Sequence, residues 1–342
     1  MPATPQISAI MSTYNGERFL VSAVNSLLKQ SLRDFEFIIV DDCSTDNTYE
    51  ILSSIRDERL VLLRNNTNFG IGASLNRALR SARGDLIAVQ DHDDVSLPVR
   101  FEKQLKFLET HTEVGLVGSP AWVIDASDKR TGLWNVPFKE VDLRWQLLIN
   151  EPFLHTGIMF RRRVVQEVGG YSTDSMYRFA EDYEFISRVA EVYPVANMEE
   201  PLVCWRAHGH SASDLNRLQQ ERATFEISLR NMRLICADTD TIMRRHLFTL
   251  LQTRSADVNI ASHDLAAVVD FFQSLVEAFH SKHQFSKAVA LTHRARVRWM
   301  FGKHLIALAF GTDGHPSLKC RTSLFSCGLK VLSNGVRKSG RA

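Results

Sequence analysis

Four short apolar runs occupy the first 90 residues of the chain, and an amphipathic stretch separates each run from the next. Ile7 to Met11, Phe35 to Val40, Leu60 to Leu63 and Leu86 to Gln90 have the length and composition of strands, and the first ends in the turn residues Asn15-Gly16. Between them Leu20, Val24, Leu27 and Leu28, then Tyr49, Ile51, Leu52 and Ile55, then Leu75, Ala78 and Leu79 fall on helical faces. Strands alternating with helices in this way predict an α/β chain with a mainly parallel sheet covered on both faces. Such sheets bind ligands beyond their C-terminal strand ends. Here the crossover units bring Tyr14, Asp42 and Asp93 to equivalent ends.

The fourth run delivers Asp91-His92-Asp93-Asp94 to that edge. Clustered carboxylates repel one another and resist desolvation unless a cation neutralises them, so the cluster reads as a site for Mg2+ or Mn2+. The same residues also read as an acidic turn that caps a helix starting near Pro98. Gly70-Ile71-Gly72 is not a dinucleotide fingerprint: it follows the third strand, and Leu75 stands where a third glycine belongs. No G-x-x-x-x-G-K-[ST] is present, which removes P-loop phosphoryl transfer. An aromatic and an acid at neighbouring strand ends remain, Tyr14 to stack on a base and Asp42 to accept hydrogen bonds from base or ribose. With a metal at Asp93 bridging a diphosphate, the three describe a pocket for a nucleotide-diphosphate compound.

The runs from Ile10 to Glu17 and from Phe37 to Thr48, with Asn68-Phe69-Gly70, Gly84-Asp85 and Gln90 to Asp94, resemble family 2 glycosyltransferases of the GT-A fold. The resemblance spans residues 5–214 in the family's order and spacing. It implies a GT-A type, Rossmann-like sheet and an inverting, metal-dependent enzyme. Such an enzyme moves a hexose or deoxyhexose from a nucleotide-diphosphate sugar to a hydroxyl of a glycan or lipid-linked acceptor, in cell-surface polysaccharide synthesis. By the same resemblance Ser12, Tyr14, Glu17, Asp42, Asn68 and Asp91 contact the nucleotide-sugar, and Asp93 is the metal ligand of the DxD motif. Ala180-Glu181-Asp182 looks like the family's ED motif, with Asp182 as catalytic base, and Trp205 to His208 resembles the late segment that closes over the diphosphate. His208 is then a second metal ligand, and Glu181, Arg206 and His155 are candidate contacts to diphosphate or acceptor. A sugar-nucleotide pyrophosphorylase would need a glycine-rich basic loop after the first strand, and Thr13 to Glu17 is not one. The remaining alternative is a non-catalytic relative that binds nucleotide-sugar or glycan as a scaffold; intact Asp93 and Asp182 argue against it.

Past Pro98 the pattern predicts a helix through Phe101 to His111, a strand over Val114 to Val123 and a hairpin within 125–139. A helix over Leu143 to Leu148, a strand over Gly157 to Phe160, a helix over Glu181 to Val192 and a strand at Cys204 to Arg206 follow. Long helical patterns take over after Asp214, which places a catalytic domain at 1–214 and a helical region at 215–342. Residues 282–342 carry 12 Lys+Arg against one acid, Asp313, while 1–281 carry 29 against 38, so the overall charge of +2 joins an acidic body to a basic tail. Helical residues Trp299, Phe301, Leu305 and Leu308, near Arg294, Arg296, Arg298 and Lys303, are candidates to lie on an anionic membrane; a packed helical subdomain is the other reading. Nucleic acid is not an expected partner, since no recognised module is present. Five scattered cysteines without C-x-x-C spacing indicate a reducing compartment. With no signal-like start and no apolar window of about 18 residues, a cytoplasmic protein is expected, peripheral on the inner membrane face.

Overall fold

The computed structural model describes residues 4–209, 211–237, 240–252, 260–310, 323–324 and 326–332. Two compact units are present, one formed by 1–143 with 151–224 and the other by 144–150 with 225–342.

In the first unit each apolar run is a strand: β1 (Ile7–Thr13), β2 (Phe35–Asp41), β3 (Leu60–Arg64) and β4 (Leu86–Val89), joined by α1 (Leu20–Leu28), α2 (Thr48–Ser54) and α3 (Ile71–Ser81). β1 lies between β2 and β4, parallel to both, with Ile10 opposite Ile38 and Val89. The chain then adds β5 (Val95–Ser96), α4 (Arg100–Thr110), β6 (Leu116–Gly118), β7 (Ala121–Ile124), β8 (Arg130–Trp134) and α5 (Glu140–Gln146). It continues through β9 (Met159–Arg161), α6 (Arg162–Val168), α7 (Glu181–Val192), β10 (Val195–Asn197) and β11 (Val203–Arg206). The main sheet runs β10-β6-β9-β4-β1-β2-β3, parallel except for β9, and a smaller one runs β5-β11-β7-β8. Strand order reverses between β1 and β4, where open α/β sheets leave a crevice for ligands. Below it Ile7, Ala9, Met11, Val24, Phe37, Ile39 and Phe101 form the buried core.

Three details depart from the sequence pattern. The apolar run 114–123 is two strands in different sheets, parted at Ser119-Pro120, because proline brings no N–H to a ladder. The two-residue β5 is defined only by its antiparallel pairing with β11. The two units part at 224/225, within α9 (Arg217–Ile235), which follows the short α8 (Ala212–Leu215), rather than near 214. Ala223 is buried, so the first turns of α9 belong with the unit before them.

The second unit is helical, with α10 (Thr241–Gln252), α11 (Ser262–His283) and α12 (Lys287–Phe310). Its core takes Val268, Phe272, Leu275 and Phe279 from α11 and Phe301, Leu305 and Leu308 from α12. That corrects the membrane-facing expectation for those three residues of α12: they pack inward, and only Trp299 of the four is exposed. Arg294 and Arg298 pair with Glu277, at 3.1 and 2.6 Å. Residues 311–322, 325 and 333–342 of the basic tail lie outside the described residues.

Candidate active site

The loops after β1 and β2 interlock. Ser12 is half-buried near the end of β1, and Tyr14 follows it, 44% exposed. Gly16 admits the next loop over: a Cβ there would come within 2.7 Å of the His92 ring. Glu17 is exposed, and its carboxylate accepts from the Asn47 backbone at 3.0 Å and the Asn47 side chain at 2.7 Å, tying the two loops together. Asp42 is buried and accepts three hydrogen bonds, from Asn65 Nδ2 at 2.6 Å, Phe69 N–H at 3.0 Å and Gly70 N–H at 2.7 Å. It therefore shapes the 65–70 loop, which turns at Gly70 with φ of 91° and displays Asn68 and Phe69 to solvent.

The acidic turn after β4 stands on a buried polar scaffold. Arg100, fully buried, donates to the carbonyls of Val89 and Ile158 at 2.8 and 3.0 Å, and to Ser96, Gln90 and Gln104. Gln90 in turn donates to the carbonyls of Asp91 and Asp94. Burial lowers the Arg100 guanidinium to about 9, against the pull of Asp91 and Asp94. The three carboxylates of the turn have different fates. Asp94 is buried and accepts the Arg206 backbone N–H at 2.7 Å, so it anchors β11 rather than capping a helix. Burial, then repulsion from Asp93 and Asp91, raises its carboxyl well above the ordinary range. Asp93 meets His208, Oδ2 to Nε2 at 3.0 Å. Burial would raise the Asp93 carboxyl, but the His208 hydrogen bond and the charges of His92 and His208 hold it below its usual value. Asp91 points to His155, Oδ1 to Nδ1 at 3.4 Å, with its backbone held by Thr156.

Arg206 does not match its expected part as a diphosphate contact. Its guanidinium donates to the Asp93 and Asp125 carbonyls at 2.7 and 3.0 Å, pairs with Asp128 at 2.6 Å and lies over the Phe19 ring. With a partner on each of its three nitrogens and its side chain only 1% exposed, it braces the acidic turn from behind. His208 packs on the same Phe19 ring, at 5.0 Å between centroids.

A second group of acids gathers at the start of α7. Asp182 lies in its first turn and accepts the Tyr183 N–H at 2.8 Å. The adjoining Glu181 is buried, and burial, then the Asp182 charge, raises it to about 7. Burial, followed by the charge of Asp182, raises the Glu151 carboxyl well above its ordinary range. His155 Nε2 contacts the Tyr171 hydroxyl at 3.1 Å. Burial would depress His155, yet the Asp91 charge and hydrogen bond, with Asp182 and Glu181, raise it. Asn76 clamps the Tyr171 backbone by both its N–H and its carbonyl. Sequence reading had no hold on Glu151, Tyr171, Phe19 or Arg100, whose partners come from distant segments. The one local signal was Glu151-Pro152, an acid at a point where the chain cannot continue a helix. Among the described residues no three His, Cys, Asp or Glu side chains are grouped to hold a metal ion.

A parallel sheet whose order reverses beside β1, with acidic and aromatic residues gathered at that reversal, places those residues at the switch point where open α/β sheets bind ligands. The chain belongs to glycosyl transferase family 2, whose model matches residues 8–169. It is 37% identical over 196 residues to the putative glycosyltransferase EpsE of Bacillus subtilis, covering 56% of this chain and 69% of that protein. It is 29% identical over 251 residues to the amylovoran biosynthesis glycosyltransferase AmsE of Erwinia amylovora, covering 72% of this chain and 92% of the relative. The mannosyltransferase PcManGT of Pyrobaculum calidifontis, solved with GDP-Man and Mn2+, shares the fold: TM-score 0.52, 16% identity, 97% of this chain and 88% of that one. Among the described residues no helix is long and apolar enough to cross a membrane.

Proposed function

We propose that this glycosyltransferase moves a hexosyl or deoxyhexosyl group, with inversion, from a nucleoside-diphosphate sugar to a hydroxyl of a glycan or lipid-linked acceptor. AmsE, a relative named for the synthesis of a polysaccharide, supports a polysaccharide product. The observation that carries the reading is the Asp93–His208 pair, which joins the turn after β4 to the segment after β11, in a fold that also holds Asp182 at a helix start.

Asp93 and His208 fit a divalent ion. A carboxylate and an imidazole already lie 3.0 Å apart, and Asp91 adds a second carboxylate on the same turn. These two residues would hold Mg2+ or Mn2+. When bound, the ion supplies Lewis-acid stabilisation for the charge that develops on the departing diphosphate. PcManGT, crystallised with Mn2+, supports the assignment. The chain's own residues do the rest. Tyr14 stacks on the base beside Ser12, Asp91 contacts the donor, and Asp42 acts through the 65–70 loop that carries Asn68. His155, held between Asp91 and Tyr171, lines the sugar or acceptor side. Asp182 takes the acceptor hydroxyl's proton as that oxygen attacks from the face opposite the leaving group, the arrangement of direct inverting displacement.

A thermal-shift screen of UDP-glucose, UDP-N-acetylglucosamine and GDP-mannose with Mn2+ tests donor and metal together, since specific binding raises the melting temperature. Asp93→Asn should erase the Mn2+-dependent part of that shift; an unchanged shift would remove Asp93 as ligand. We also assign the C-terminal region a peripheral membrane contact, through Trp299, with the Lys303 ammonium over its ring at 4.4 Å on an α12 that has no acidic residue. A Trp299→Ala/Lys303→Glu chain should bind anionic vesicles more weakly at low salt, and equal binding would sink the assignment.

A further inference from the structure

We propose that one face of the smaller sheet is an acceptor platform, where Trp134 and Trp205 stack on a pyranose ring of a sugar-bearing acceptor. The inference rests on the reading of the chain as a glycosyltransferase with such an acceptor. β11, β7 and β8 lie side by side, and their register puts Val203 and Trp205, Ala121 and Val123, and Gly132 and Trp134 on one face. The two indoles meet across β7, edge to face, with ring centroids 5.1 Å apart. Trp134 is 42% exposed, on a strand whose five residues are all exposed. The floor beside the pair is open: a Cβ added at Gly132 would meet only Val123, at 4.0 Å. An indole face is electron-rich, and a pyranose turns polarised C–H bonds to it while its hydroxyls stay in water at the rim. Position ties the platform to the acceptor side of the candidate site. On the same face Val203 Cγ2 stands 3.4 Å from where a Cβ on Gly157 would be. Gly157 ends the turn that begins with His155, whose imidazole meets Asp91. In the other direction β11 runs from Trp205 into Arg206, which holds the Asp93 carbonyl. A protein partner fits less well. The exposed parts of two indoles are on the order of 100–200 Å², against roughly 800 Å² a side for a stable protein interface. The neighbouring Leu133 adds nothing, because it lies on the opposite face.

The platform is tested without turnover, on the full chain labelled with nitrogen-15 in its tryptophans. The probes are methyl β-glucoside, methyl β-galactoside and methyl β-N-acetylglucosaminide. The indole N–H resonances of Trp134 and Trp205, assigned from Trp134→Phe and Trp205→Phe chains, should shift and saturate with at least one probe, while Trp145 and Trp299 stay still. No shift with any of the three, or equal shifts at Trp299, overturns the proposal. Trp134→Ala should raise the Kd of the bound probe about five-fold, and Trp134→Phe should restore most of that affinity. Trp134→Ala also removes a ring contact between β8 and β11, so a second variant separates binding from packing. Gly132→Val places a strand-favouring side chain in open space, and the melting temperature should hold or rise. The same side chain obstructs the floor beside the indoles, and the probe's Kd should again rise about five-fold. An unchanged Kd in both variants would assign the ring pair to clamping β8 and overturn the proposal. A chain that is dimeric in solution, and monomeric as Trp134→Ala, would give the face to a second copy instead. The nucleotide-sugar thermal shift, read on the same chains, keeps the two readings apart. A donor shift without indole shifts removes the platform alone; indole shifts without a donor shift keep the sugar site and remove the glycosyltransferase reading.

Discussion

The first unit gathers titratable groups at the start of α7, and the second buries a histidine pair between α11 and α12; the two clusters respond to burial in opposite ways. In the second, His280 Nε2 and His293 Nδ1 are 3.0 Å apart among the rings of Phe279, Phe285 and Trp145. Burial, helped by Arg294 at His280 and by His280 at His293, lowers both imidazoles to about 4. Each is neutral at pH 7, one ring donating to the other, and the pair acts as packing. In the first unit burial raises Glu151 and Glu181, and Asp91 with its acidic neighbours raises His155, so protons are retained near neutrality where one must move. A displaced pKa is therefore not in itself the mark of a site. What distinguishes the two clusters is convergence: one stands at strand and helix ends around a crevice, the other inside a helical core.

The strongest way to break that contrast is Asp182→Asn. It should reduce transfer by about 10²–10⁴-fold while leaving the nucleotide-sugar thermal shift nearly intact. Unchanged transfer would put the acid cluster in the same structural class as the histidine pair.

Arg206 sharpens the contrast from the other side, as a residue next to the chemistry whose work is structural. Arg206→Met leaves the Asp93 and Asp125 carbonyls without their donor, and should cost about 1–3 kcal/mol of stability, read from denaturant unfolding of the first unit. A phosphate clamp would show the reverse, normal stability with donor binding lost.

This residue also marks how far the sequence could be read. The strands β1 to β4 were legible because apolar runs and turn residues are local signals, and the strand-end positions of Tyr14, Asp42 and Asp93 followed from them. Arg100 and Arg206 were not, because a buried arginine and an exposed one look alike until their partners are known. The partners of Arg100 lie on β4, on β5 and near β9. Asp42 shows the same limit: its strand-end place was correctly expected, yet its oxygens are occupied by the 65–70 loop. Tail residues and the alternation of α10 to α12 offered pattern without pairing, so which face of α12 turned inward was undetermined.

A smaller effect tests the histidine pair. Unfolded histidines take up protons from about 6.5 downward and the folded pair only near 4, so across that window the unfolded state binds more protons. Stability of the second unit should fall as pH drops through the window, followed by the fluorescence of Trp145, which packs on His293. A His280→Gln/His293→Gln chain should flatten the dependence. A stability rising toward acid would contradict a neutral pair.

The smallest effect belongs to Tyr14, which is the opposite of Arg206 in every respect. It is exposed at the end of β1, where its ring supports no core. Tyr14→Ala should change unfolding little, because the ring belongs to none of the buried core around β1. If the ring stacks on the base, the donor's Kd should rise by about five-fold, near 1 kcal/mol, the size of an aromatic stacking contact. Tyr14→Phe should restore most of that affinity, because stacking uses the ring face and not the hydroxyl. Weakening in both variants would assign the contact to the hydroxyl instead, and move Tyr14 from the base toward the ribose or phosphate.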